Sequence, residues 1–98
     1  MLVNPFAASP GSGQSISTTG SSQAIAVSAV DPTVCVSNYG ATNAAYVRIG
    51  TGACTAADQV VRANSERFFL KGDGITAISV LQLTGATTLH ISTGNGGL

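Results

Sequence analysis

The chain has 98 residues, of which 44% are hydrophobic and only 8% charged, with four basic and four acidic side chains that cancel. That length makes one domain with a core small for independent stability, and so little charge points to a surface that a partner covers. Arg48, Arg62, Arg67 and Lys71 are scattered among Asp58, Glu66 and Asp73, which argues against a phosphate-neutralising stripe and a nucleic-acid role.

Residues 1–22 carry Pro5, Pro10, Gly11, Gly13, Gly20 and many Ser and Thr. Such a stretch buries too little apolar surface to order itself, so a flexible N-terminal arm is expected ahead of a domain at 23–98. Leu2, Val3 and Phe6 are apolar anchors at its tip. Two dispositions are open: a first strand tucked onto its own domain, or an extended arm that holds a neighbour. From Gln23 the pattern alternates, with Ile25, Val27 and Ala29 on one face of a strand over 23–30. Asp31-Pro32 ends it, because proline has no N–H to give and restrains the residue before it.

A strand over 33–37 follows, closed by Asn38-Tyr39-Gly40. In residues 45–49, Ala45, Val47 and Ile49 share one face, and Tyr46 and Arg48 the other. Gly50-Thr51-Gly52 opens a looser stretch, in which residues 54–59 have the length of one helical turn. Strands at 60–63 and 67–70 flank Asn64-Ser65-Glu66. Lys71-Gly72-Asp73-Gly74 is a turn, and Thr84-Gly85-Ala86 reads as a hairpin loop joining strands at 75–83 and 87–92. Residues 94–98 read as a loose tail. Seven or eight strands without helical periodicity predict an all-β sandwich, closest to a jelly roll.

No constellation for catalysis stands out. The chain has one histidine, His90, in an alternating strand where it reads as a surface or interface side chain, and it lacks a Gly-x-Ser-x-Gly elbow. Asp31, Asp58 and Asp73 fall in turns, where aspartate bonds its local backbone. The glycine-rich triplets lack the Lys-Ser/Thr ending of a phosphate loop. Cys35, Cys54 and His90 show no metal-ligand spacing, so neither metal nor organic cofactor is expected. The two cysteines read as free buried thiols of a protein made in a reducing cytoplasm, with a late bridge as the alternative. The N-terminus has no basic segment or long apolar run of a secretory signal, and no stretch approaches the ~18 apolar residues of a membrane helix. Tyr39 and Tyr46 are the side chains suited to stacking on a sugar.

Ser37-Asn38, the run Ala45-Tyr46-Val47-Arg48-Ile49-Gly50, Phe68-Phe69-Leu70 and the closing Thr88-Leu89-His90-Ile91-Ser92-Thr93-Gly94-Asn95-Gly96 resemble small virion proteins of tailed bacteriophages, the capsid decoration or cement class. Those chains commonly carry an Asn … Ala-Tyr/Phe-Val-Arg-x-Gly strand and a final Thr-Leu-x-Ile-x-x-Gly-x-Gly strand. The resemblance covers residues 34–96. It implies a jelly-roll-like domain on the outside of an icosahedral head, made in the host cytoplasm, that bridges major capsid proteins as a dimer or trimer. The class brings no catalytic residue with it. Low charge and a small core independently favour a homo-oligomer. The residues expected to meet partners are Leu2, Val3 and Phe6 on the arm, and Tyr46, Thr88 and His90 on the faces. A head-fibre base, a tail adaptor or a carbohydrate-binding module are the competing readings.

Overall fold

β-Branched residues and alternating small polar ones build two antiparallel sheets in a computed structural model that describes residues 5–72 and 74–97. The strands are β1 (Ala7–Ala8), β2 (Gln14–Ser17), β3 (Gln23–Ala26), β4 (Thr33–Asn38), β5 (Ala45–Ile49), β6 (Gln59–Val61), β7 (Ser65–Leu70), β8 (Ala77–Gln82) and β9 (Thr88–Asn95). The first sheet runs β1-β9-β4-β7, with β2 also on β9, and the second runs β3-β8-β5-β6. Among the described residues there is no helix.

The pairing has a simple logic. Strand β2 pairs with β9, β3 with β8, β4 with β7 and β5 with β6, so the chain is one long antiparallel hairpin rolled upon itself. Rolling brings β9 beside β4 and β8 beside β5, which closes each sheet. That is a jelly roll. Its core lies between the sheets: Val34 and Val36 from β4, Ala45 and Val47 from β5, Val61, Ile78, Val80, Leu89 and Ile91 are all fully buried. Burying one such side chain contributes about 1.5–3 kcal/mol.

Several elements depart from the sequence reading. The segments at 70–75 and 83–88 cross between sheets, so Thr84-Gly85-Ala86 is not a hairpin loop. Turn residues report that a chain reverses, not which sheet receives the next strand. Residues 54–59 form a turn rather than a helical one: Thr55 N donates to Asp58 Oδ2 at 2.8 Å, and Asp58 N to Thr55 O at 3.1 Å. The glycine-rich tail is strand as far as Asn95.

Residues 1–22 could lie on their own domain or reach away from it, and the described part lies on the domain. Gln14–Ser17 pairs with Ile91–Thr88, and Ala7–Ala8 with Asn95–Gly94. Side chains supply what composition concealed. Ser9 Oγ donates to Asp31 Oδ1 at 2.9 Å, Ser12 Oγ to Thr93 O at 3.1 Å, and Gln14 Nε2 to Ala26 O at 2.7 Å. Asp31, itself buried, also accepts from Thr93 Oγ1 at 2.7 Å. Leu2, Val3 and Asp73 lie outside the described residues.

Candidate functional site

Residues directly paired across an antiparallel sheet share a face, so the register fixes what each outer surface displays. On the first sheet Ser15, His90, Ser37 and Glu66 form one polar row across four strands. The next row holds Ser92, Cys35 and Phe68. Phe6 crosses above it, its ring 5.3 Å from that of Phe68 and inclined by 60°. Thr33 and Cys35, on this same outer face, are buried. Phe6, expected to engage a partner, is thus seated on its own domain.

His90 Nδ1 sits 3.5 Å from Ser15 Oγ, at the long limit of a hydrogen bond. Ser37 Oγ donates to Glu66 Oε2 at 2.7 Å. The row therefore gives each serine a different partner, and Ser37 stands between His90 and Glu66. Tyr46 lies on the other sheet's outer face, half-buried in a row with Leu81 and Val60. Tyr46 and His90, paired in the sequence reading as partner-facing residues, occupy opposite sides of the sandwich.

Both cysteines are free and buried. Burial raises the Cys35 thiol pKa, with the nearby Glu66 charge adding to it and the Ser37 hydrogen bond opposing. Cys54 is pushed up to about 11, first by burial and then by the Asp58 charge. Neither thiol has the electropositive setting that makes a cysteine reactive at neutral pH.

A third feature lies where β4 and β7 run out. Asn38 pairs with Ser65, and carrying the register one residue further sets Tyr39 opposite Asn64. Tyr39 and Asn64 therefore join Ser37 and Glu66 on the outer face, around an open cleft of about 230 Å³. Tyr39 is 72% exposed. Asn64 holds a left-handed backbone, φ 53°, and its N–H donates to Gly40 O at 2.8 Å. Asparagine is among the few non-glycine residues that accept that conformation.

Beneath this cleft Asn38 is buried and fully bonded. Its Nδ2 donates to Asn43 O at 2.9 Å and Val61 O at 3.3 Å, and its Oδ1 accepts from Gly40 N at 2.9 Å and Thr87 Oγ1 at 2.8 Å. It joins the loop after β4 to β6 and to the approach to β9.

No family model and no curated protein matches the chain. A solved structure titled "Crystal structure of PirA" shares its fold. The TM-score is 0.53 at 12% identity, over 87% of this chain and 95% of that one. At that identity the likeness is one of architecture alone.

A further property emerges once the topology is known. No charged side chain occurs before Asp31, so β1, β2, β3 and their connections carry none. These strands supply the free edges of both sheets on one flank of the sandwich. The opposite flank, formed by β6 and β7, carries Arg62, Glu66 and Arg67. There Arg67 lies over the Phe69 ring at 4.8 Å and donates to Val60 O at 2.8 Å, closing the gap between the sheets. The sequence alone offers the absence of early charges but not their convergence on one flank. The meeting of Tyr39 with Asn64 and Glu66 was equally out of reach, since it depends on the β4–β7 register.

Proposed function

We propose that this chain is a structural virion subunit of the capsid decoration type, which docks on major capsid proteins and braces neighbouring copies of them. The observation that carries the reading is the uncharged flank. Exposed sheet edges are normally protected by charge, proline or an inward-turned basic side chain, and the β6–β7 flank uses that last device. The β1–β3 flank uses no charge at all, although its two edges lie side by side. Such a surface suits permanent cover by a neighbour, as in a symmetric homo-oligomer or against a capsid lattice. Val30, 81% exposed beside the β1–β2 connection at Pro10 and Gly11, adds an apolar side chain to that flank. The resemblance of residues 34–96 to cement proteins supplies the assembly in which that cover is found.

Copy number tests the reading. On a gel of purified virions, a decoration subunit stains in a fixed, high ratio to the major capsid protein, with hundreds of copies per head. A few copies per particle, as for a fibre base or tail adaptor, or absence from virions, overturns it. Heads depleted of the chain are expected to lose heat resistance and regain it when the purified protein is added back.

A further inference from the structure

We propose that the corner formed by Tyr39, Asn64 and Glu66 is a binding site for a single sugar ring. It lies beside β7, on the flank away from the uncharged edges, so it stays open when that flank is covered. The inference goes beyond the virion reading and does not depend on it.

Three features converge. A tyrosine 72% exposed at a loop end leaves an aromatic face in water, a disposition that contributes little to the fold. The face of a pyranose that bears axial C–H groups carries positive partial charge and lies well against the negative face of such a ring. Beside it stand the two kinds of polar group that recognise hydroxyls. Glu66, exposed, accepts from Ser37 through Oε2, and its carboxylate has lone pairs left for a further donor. The Asn64 amide offers donors and an acceptor and makes no side-chain hydrogen bond among the described residues. Carboxylate–hydroxyl bonds are charge-assisted and among the stronger ones available.

The positions are held from below. Asn38 anchors the chain on either side of Tyr39 through its four hydrogen bonds, and the Asn64 backbone is tied to Gly40. A cleft of about 230 Å³ falls short of the roughly 300–1,000 Å³ typical of drug-sized ligand sites, which fits one ring rather than an extended chain. Tyr46, the other tyrosine, is half-buried between Leu81 and Val60 and presents no such open face.

The experiment uses the purified full chain. It is screened on an array of bacterial and animal glycans, then titrated by NMR with glucose, galactose, N-acetylglucosamine and N-acetylgalactosamine at up to tens of millimolar. Saturable shifts confined to residues 37–40 and 64–66 are expected, with Tyr39→Ala weakening binding roughly tenfold and Tyr39→Phe retaining most of it. Glu66→Gln is expected to weaken binding in the same direction, and Tyr46→Phe to leave it unchanged. No saturable binding to any array glycan or monosaccharide overturns the proposal, as does binding that Tyr39→Ala leaves intact in a folded protein. Because virion copy number is measured separately, either proposal can fail alone.

Discussion

Asn38 shows how one side chain can hold several loops. Its two donors meet two backbone carbonyls and its oxygen accepts from two further groups, the bonds to Val61 O and Thr87 Oγ1 buried and the other two part-buried. Asn38→Ala takes their partner from the buried Val61 carbonyl and Thr87 hydroxyl, and a buried unpaired group costs about 1–3 kcal/mol, so a net loss of about 3 kcal/mol is expected in urea unfolding. Asn38→Asp should cost more at neutral pH, because a carboxylate then faces the Asn43 and Val61 carbonyls. The asparagine of the cement-like pattern thus has a structural role. The cysteines lead to a second expectation. A thiol whose pKa rises on folding stabilises the fold while it stays protonated. That contribution is whole below the unfolded value near 9.0 and is lost as pH climbs toward about 11 for Cys54. The drop in unfolding midpoint between pH 8 and pH 10.5 should therefore be smaller in Cys54→Ala than in the parent. In native protein at pH 7.5, thiol reagents should modify neither cysteine until denaturant is added.

At the scale of elements, the N-terminal segment shows most clearly what sequence could and could not say. Serine and glycine richness made residues 1–22 look unable to order themselves, yet those serines supply the bonds to Asp31 and Thr93 that fasten β1 and β2 to β9. Composition measures apolar burial and is blind to polar partners far away in the chain. Gly94 is the matching feature on the other side, since a Cβ there would collide with the Ala7 carbonyl oxygen. Gly94→Ala is therefore expected to lift β1 and Phe6 from the sheet. The readout is Cys35, which loses its cover and should become reactive in the native state, while Phe6→Ala should expose it in the same way. Cys35 still shielded in both variants would mean that β1 and Phe6 do not bury it. By contrast, β4 and β5 were legible almost residue for residue. β5 alternates and β4 is a short apolar run, each between breakers, and long-range partners could only reinforce that local preference.

For the whole molecule, alternation and turn spacing gave the all-β sandwich, but two turns read as local reversals proved to be crossings between sheets. A jelly roll places nearly every successive strand in the opposite sheet, and only β5 and β6 are sequence neighbours paired side by side. The same rolled hairpin brings the uncharged beginning of the chain together as one flank, the surface proposed above to be covered by a neighbour. Ser17 and Ala24 are exposed on β2 and β3. Replacing either with lysine touches no core residue and should change stability by less than about 0.5 kcal/mol. A covered edge does not tolerate such a change, because the new charge must be desolvated or must splay the contact apart. Ser17→Lys and Ala24→Lys should therefore abolish self-association in sedimentation and incorporation into heads, with the β-sheet circular dichroism unchanged. Arg62→Glu, on the opposite flank, should leave both intact. If the lysine variants associate and incorporate as well as the parent, the uncharged flank is not the docking surface, and its lack of charge needs another cause.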